Sequence, residues 1–332
     1  MRLGDDLRLR DASASDADFI YRVIERTMRG YVEKTWGAFN EEGNRRHVAD
    51  SIAARAFAVI QQGGEDAGVL SVERQPGSIW LHQLFLLPEH QNRGIGSRIV
   101  RALIAEAADS RKPLRLRVLA INPAKRLYER EGFRVFCATP GRIYMQWTPP
   151  GLELPAGREC PAPVRSLLDS CRITPDMVAM RFLALQPEAG ELEVVEVDDS
   201  GREYRLTPAA ARAWREMREA ARADGVVIRI ASAFRGVERQ AEIIRSKLAQ
   251  GLAIEDIVKI SAPPGYSEHH TGRAVDIATD GVRALEEEFE TTRAYEWLSG
   301  NAGRFGFHLS FPRGNPYGYA YEPWHWRFAE RG

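Results

Sequence analysis

The sequence predicts an α+β chain of two domains. Three observations carry that expectation. At 332 residues the chain is long for one core and comfortable for two. A stretch dense in helix breakers, Thr148-Pro149-Pro150-Gly151 through Pro155-Ala156-Gly157 and Pro161-Ala162-Pro163, separates two compositional regimes. On both sides of it, helix-spaced and strand-like apolar patterns are interleaved. We therefore expect a first domain over 1–148, a linker over 149–172 and a second domain over 173–332.

In the first half, Ser15 or Asp16 is placed to cap a helix whose apolar residues Phe19, Ile20, Val23 and Ile24 recur at helical spacing. Phe57 to Ile60 and Gly68 to Val72 read as strands around the turn Gly63-Gly64-Glu65-Asp66, and Trp80 to Leu87 as a third strand. Ser97 to Ala108 is a helix with Ile99, Val100, Leu103, Ile104 and Ala107 on one face. Leu114 to Leu119 alternates as a strand, and Pro123 to Arg130 is a short helix. In the second half, Thr207 is expected to cap a helix with Pro208 in its first turn and Ala210, Trp214, Met217 and Ala221 as its buried stripe. A strand over Val226 to Ser232 follows, then a helix from Glu238 to Gln250 ended by Gly251. Ala274 to Ala278 reads as a strand and Thr292 to Ser299 as a helix.

Composition excludes several classes. Basic and acidic residues number 46 each, so nothing predicts a general affinity for nucleic acid or for anionic membrane. No segment approaches the 18 apolar residues of a spanning helix, and the N-terminus has no apolar core of signal-peptide length. Cys137, Cys160 and Cys171 form no CxxC pair. This odd, sparse set fits a reducing compartment, so a Cys160–Cys171 bridge is disfavoured and the cytoplasm is the expected location.

Two stretches carry chemistry. The first is Gln91-Asn92-Arg93-Gly94-Ile95-Gly96-Ser97, between a strand and a helix. Its glycines admit a ligand close to the backbone, and the helix N-terminus aims free N–H groups and a positive dipole end at the loop. This is a cradle for pyrophosphate, with Arg93 and Arg98 adding charge. It is not the dinucleotide GxGxxG, because residue 99 is Ile. The loop, together with the segment Asn122-Pro123-Ala124-Lys125-Arg126-Leu127-Tyr128-Glu129-Arg130-Glu131-Gly132-Phe133, resembles the GNAT acetyltransferases over roughly residues 6 to 147. That resemblance implies a mixed sheet flanked by helices. It also implies acetyl-CoA held by Arg93, Gly94, Ile95, Gly96 and Ser97. Asn122 would lie on the pantetheine arm, and Tyr128 would be the acid that protonates the departing thiolate. Many members carry a Glu on the preceding strand as general base. Here that strand reads Leu81-His82-Gln83-Leu84-Phe85, and the acceptor amine is not legible.

The second stretch is Ser267-Glu268-His269-His270-Thr271-Gly272-Arg273-Ala274-Val275-Asp276, with its partner Glu322-Pro323-Trp324-His325. Two His and one Asp suit a catalytic zinc that keeps a position open for water. A carboxylate just off the metal, Glu322, suits a general base. Gly272 and Ala274 suit a chain passing close to a metal. Ser267, His269, Gly272, Ala274, Asp276, Glu322 and His325 meet the signature of the VanY/VanX-type D-alanyl-D-alanine carboxypeptidases and dipeptidases, and the resemblance covers roughly residues 175 to 329. It implies a small α+β domain with a central antiparallel sheet. It further implies Zn2+ on His269, Asp276 and His325, with Glu322 as base and Arg235 at the oxyanion. Ser232, Gln240, Tyr266 and Ser267 would touch substrate. His270 is the rival ligand, which spacing disfavours. Phe234 and Gly236 stand where the family has Tyr and Ser.

The expected activity is cleavage of a small D-alanine-containing cell-wall peptide or muropeptide, joined to N-acetylation of an unspecified amine. The alternatives are a peptidase with a non-catalytic acetyl-CoA-sensing module, an L,D-type muropeptide-recycling carboxypeptidase, and a binding module without hydrolysis. No nucleic-acid or membrane partner is expected.

Overall fold

The computed structural model describes residues 3, 4, 6–154 and 157–330. Pro155 and Ala156 of the expected linker lie outside them. The chain divides into two compact units, Met1–Gly157 and Arg158–Gly332.

The first unit runs β1 (Leu7–Asp11), α1 (Ala17–Trp36), α2 (Glu41–Ala53), β2 (Ala58–Gln62), β3 (Glu65–Arg74), β4 (Ile79–Leu86), α3 (Ile95–Asp109), β5 (Leu114–Leu119), α4 (Lys125–Arg130), β6 (Arg134–Thr139) and β7 (Arg142–Trp147). The strands form one mixed sheet in the order β1-β2-β3-β4-β5-β7-β6. All neighbours are antiparallel except β4 and β5, which run parallel through Ile79↔Leu114, Trp80↔Arg115 and Leu81↔Leu116. Among the described residues that pairing goes no further, so β4 and β5 part towards their C-terminal ends and open a notch in the sheet. A bulge on the β3 side of β4, where Ser71 pairs Gln83 and Val72 pairs Leu81, leaves His82 out of the ladder.

Side-chain alternation builds a core on each face. Leu70 joins Ile99, Val100 and Leu103 of α3, whereas its neighbour Val69 joins Ile20, Val23 and Ile24 of α1. Gly68 must be glycine: a Cβ there would stand 2.2 Å from the Phe85 carbonyl oxygen.

The second unit comprises α5 (Ala162–Ser170), α6 (Pro175–Ala179), β8 (Glu193–Val197), β9 (Glu203–Leu206), α7 (Pro208–Ala223), β10 (Arg229–Ser232), α8 (Val237–Ala249), α9 (Ile254–Ile260), β11 (Ala274–Ala278), α10 (Arg293–Asn301), β12 (Phe307–Leu309) and β13 (His325–Phe328). Its antiparallel sheet has the order β10-β11-β13-β12, beside a separate β8–β9 hairpin. Val275 and Ile277 of β11, with Trp326 and Phe328 of β13, pack on Trp214 and Met217 of α7. Asp276 and His325 alternate to the opposite face, where they are direct cross-strand partners. The sheet thus supplies core on one side and chemistry on the other.

Two local expectations are corrected. The segment 149–172 is not linker throughout, because it contains α5, whose Leu168 packs with Cys171 in a buried cluster with α8 and α9. Thr207 occupies the N-cap position of α7, but its hydroxyl makes no capping bond and is buried without a partner; its backbone N–H donates to Gly272 O at 2.9 Å. None of the three cysteines is in a disulfide. Among the described residues no helix is long and apolar enough to cross a membrane.

Candidate functional sites

In the second unit, a single 3-10 turn, Glu268–Thr271, presents His269 beneath β11 and β13. Its end requires Gly272, whose φ is +62°. A Cβ at Gly272 would press on Leu192, Ala189 and Thr207, so this glycine answers to packing rather than to a nearby metal. His269, Asp276 and His325 converge, with one ligand atom from each lying within 4.8 Å of the others. All three are buried. His269 Nε2 lies 3.1 Å from Asp276 Oδ2, and His325 Nδ1 lies 2.9 Å from Asp276 Oδ1.

The second nitrogen of each ring is already engaged. His269 Nδ1 meets Ala233 O at 2.7 Å, and His325 Nε2 meets Glu268 Oε2 at 3.0 Å. These contacts leave His269 Nε2 and His325 Nδ1 turned towards the Asp276 carboxylate. His270 separates cleanly from His269. Its Nδ1 meets Arg235 O at 2.6 Å and its Nε2 accepts from Gly265 N–H at 3.1 Å, so both nitrogens tie loop backbone. Burial lowers its pKa to about 4 and keeps it neutral.

Electrostatics match this geometry. Burial disfavours charge on Asp276, yet His269 and His325 beside it hold its carboxyl well below the ordinary range. Burial also works against a charged His325, but Asp276 and Glu268 overcome it and raise the imidazole to about 10. The carboxylates that hold a proton on this ring are the groups that would favour a cation in its place. Glu322 behaves oppositely. Its Oε2 lies 3.9 Å from His325 Nδ1, and burial, seconded by Asp276 and Glu268, pushes its carboxyl up to about 7. Arg235 is mostly buried, burial pulls its guanidinium below the usual value, and its Nε has no partner.

Glu268 was not predicted. It stands at a variable position of the motif, and spacing alone gives it no role. In the fold it accepts from Ser310 Oγ at 2.6 Å and Arg327 Nη1 at 2.9 Å, besides meeting His325. Burial opposes its charge, but these partners bring its carboxyl down to about 2. Ser232 is the cross-strand neighbour of Asp276. Gln240 donates from Nε2 to Ala262 O at 2.6 Å and leaves its buried Oε1 without a partner. Tyr266 and Ser267 are buried just before the turn.

In the first unit the loop before α3 lines a cavity of about 570 Å3. Gly94, at φ +79°, caps α3, and Ile95, Gly96, Ser97, Asn122 and Tyr128 line the same space. One of the expected charges is corrected. Arg98 turns away to Asp6, at 2.6 and 3.0 Å, and to Leu3 O. Arg93 is exposed and outside the lining, whereas Arg126 and Arg130 belong to it. Helix periodicity hides that contribution, because α4 looks like an ordinary charged helix. Asn122 Oδ1 accepts from Ala124 N–H at 2.9 Å and starts the turn into α4.

A second cavity of about 220 Å3 occupies the notch between β4 and β5. The two share Met28, Leu84, Phe85, Asn122, Ala124 and Tyr128. Tyr128 therefore stands at their junction, and burial raises its phenol to about 12.

Comparison with known proteins agrees with both halves. Residues 203–331 match the D-alanyl-D-alanine carboxypeptidase family VanY, and residues 53–135 match the acetyltransferase (GNAT) domain. A D-alanyl-D-alanine carboxypeptidase of Enterococcus faecalis is 38% identical over 121 residues, covering 33% of this chain and 43% of that protein. The Bacillus subtilis protein YodJ is 36% identical over 125 residues, covering 36% of this chain and 45% of its own. The chain thus spans less than half the length of these relatives. A variant of the D,D-pentapeptidase VanY from a VanB-type vancomycin-resistance cassette, crystallised with Zn(II), is 32% identical. It covers 44% of this chain and 83% of its own, with a TM-score of 0.35. One polypeptide here joins a domain that matches the GNAT family, over residues 53–135, to a domain that matches the VanY family, over residues 203–331.

Proposed function

We propose that the second unit is a zinc-dependent carboxypeptidase acting on short cell-wall-type peptides that end in D-alanine. The observation that carries this reading is the buried convergence of His269, Asp276 and His325 within 4.8 Å, with Glu322 3.9 Å from His325. The donor set fits the ion. Two imidazoles and one carboxylate are a usual catalytic zinc triad, and each ring has one nitrogen committed elsewhere and one turned inward. His269 Nε2, Asp276 and His325 Nδ1 would hold it. Zinc bound there supplies Lewis acidity towards water and a peptide carbonyl.

The remaining work falls to side chains. Glu322, whose carboxyl sits near neutrality, takes a proton from the attacking water and delivers it to the leaving amine. Arg235, largely desolvated and with an unpartnered Nε, faces the negative charge that develops on the carbonyl oxygen. The unpartnered Oε1 of Gln240 offers the substrate a hydrogen-bond acceptor. D-alanine as the released residue rests on the family match and on the Enterococcus relative. An L,D-type specificity uses the same chemistry and is separated from it by the substrate panel. The test combines metal analysis with D-alanine release from D-Ala-D-Ala and from pentapeptide stems. Glu322→Gln is expected to lower kcat by roughly 10²- to 10⁴-fold while zinc content stays the same. Undiminished cleavage by that variant would remove the assignment.

For the first unit we propose acetyl transfer from acetyl-CoA, supported by Tyr128 at the junction of the two cavities. The Gly94–Ser97 loop and the start of α3 would bind the pyrophosphate. A non-catalytic acetyl-CoA sensor is the second reading, favoured by Gln83 on β4 where a carboxylate base is usual. Thiol release on a panel of amines separates the two. The odd, sparse set of cysteines without a CxxC pair supports the cytoplasm as the working compartment.

A further inference from the structure

Arg181 is a buried cation that the proposed hydrolysis does not use. It lies just beyond α6 and before the 203–331 segment that matches the VanY family, so the family match gives it no role. Burial pulls its guanidinium below the usual value, against the opposing pull of Tyr319 and Glu322. Among the described residues its nitrogens meet carbonyl oxygens and no carboxylate. Nε donates to Tyr317 O at 3.1 Å, Nη1 donates to Val258 O, and Nη2 is buried without a partner. Its Cζ stands 4.0 Å over the Tyr319 ring. A guanidinium taken out of water with no carboxylate beside it costs free energy, and an apolar side chain of similar volume would fill the space without that cost. Packing alone therefore does not account for a cation here.

What the contacts join does account for it. The loop 311–322 leaves and re-enters at one place, where Glu322 N–H donates to Phe311 O at 3.1 Å. It carries Glu322 at its end. Inside it, Asn315 Oδ1 accepts from the N–H groups of Tyr317 and Tyr319, at 3.1 and 3.3 Å, and Asn315 Nδ2 donates to Tyr319 O at 2.8 Å. These bonds make the arch 317–319 a single braced piece. Two ties hold that arch to the end of α9. One is direct, from Ala320 N–H to Lys259 O at 3.2 Å. The other runs through Arg181, whose planar fork spans Val258 O of α9 and Tyr317 O of the loop. Phe311 and Tyr319 complete the seat with ring centroids 4.8 Å apart, and Phe311 in turn lies 4.7 Å from the His325 ring.

We propose that Arg181 is the positioning residue for Glu322: it pins the loop 311–322 to α9 and so sets where the general base stands beside His325. This inference rests on the carboxypeptidase reading of the second unit. Glu322 Oε2 is 3.9 Å from His325 Nδ1, and a displacement of about 1 Å in a group that must take and return a proton costs about 100-fold in rate. Lysine does not substitute for Arg181, because it has no fixed fork to span two carbonyls and no flat face for Tyr319.

The test has two arms, both on the full chain. In metal-stripped protein, hydrogen exchange of the Ala320 and Glu322 amides is compared between wild type, Arg181→Lys and Arg181→Met. Both variants are expected to exchange about tenfold faster at these two amides, with the Ile277 amide of β11 unchanged. In zinc-loaded protein, kcat for D-alanine release from a pentapeptide stem is expected to fall about 10- to 100-fold in Arg181→Lys, while KM and zinc affinity stay within about twofold. Should Arg181→Met fail to fold, Arg181→Lys, which keeps the charge, still decides. Unaltered exchange at Ala320 and Glu322, or an undiminished kcat, would overturn the proposal and leave the carboxypeptidase reading intact. Faster exchange that extends equally to Ile277 would show a general loss of stability and overturn it as well. Absence of D-alanine release by the wild-type chain would overturn the carboxypeptidase reading, and with it the role of Glu322 that Arg181 serves.

Discussion

Glu322 sits among groups that pull its proton in opposite directions, and burial decides the outcome by lifting its carboxyl from 4.5 to about 7. The folded protein then binds this proton more tightly than the unfolded chain does. Stability from this group is fully present below the unfolded value and is lost as pH rises through the folded one. Metal-stripped protein is therefore expected to lose about 3 kcal/mol relative to Glu322→Gln between pH 4.5 and 7.5. Urea denaturation across that range, followed for the second unit, checks it; parallel pH profiles for the two proteins would contradict the buried-carboxyl account. Glu268 makes the complementary case. It is ionised and held by Ser310 and Arg327, and it fixes the Nε2 of His325 so that Nδ1 faces Asp276. Glu268→Gln is expected to weaken zinc binding by about 10- to 100-fold, measured by competition with a chromophoric chelator. An unaltered affinity would mean that packing alone orients the ring. The convergence of His269, Asp276 and His325 with Glu322 beside them was legible in the sequence because a metal site of the kind proposed restricts residue type and spacing. Glu268 was not, because its role depends on a side chain 57 residues away.

Elements were legible to the extent that their stability is local. The helix over Ile95–Asp109 and the strands Leu114–Leu119 and Ala274–Ala278 were read within two residues, since the helix buries one periodic face and the strands are short runs buried almost throughout. β13, with only His325–Phe328, gave no pattern of its own; it exists because β11 and β12 pair it from both sides. The same holds for β8 and β9, short strands that answer to each other. The helix α5 was obscured by its Pro-rich approach, although Pro161 and Pro163 are compatible with a helix start and Leu168 gains burial only in the tertiary cluster. At the phosphate loop the glycines were readable from the sequence, but the cation supply was not. Arg98 is drawn off by Asp6, 92 residues away, and α4 brings Arg126 and Arg130 instead. A long flexible cation goes to the partner the fold brings it, which sequence adjacency to a loop does not fix.

At the scale of the whole molecule, each unit closes its own cores. Among the described residues, the clusters around α1 and α3 are built from residues before Gly157, and those around α7 and α8 from residues after it. The break near residue 150 was visible because prolines and glycines cannot sustain either pattern of periodicity. Its exact position was not, because Gly157 is set by packing: a Cβ there would stand 1.8 Å from Phe136 O. Separate cores mean that a ligand held within one unit delivers its binding energy to that unit's unfolding equilibrium. Zinc would bind within 158–332 and acetyl-CoA within 1–157. A ligand at a hundred times its Kd adds about 2.7 kcal/mol, which for domains of this size raises Tm by roughly 5–10 °C. Calorimetry of the full chain is therefore expected to resolve two transitions. Chelation should lower one of them and acetyl-CoA should raise the other. A single transition that moves with either ligand would show instead that the two units unfold as one cooperative body, and that each site draws on the stability of the whole chain.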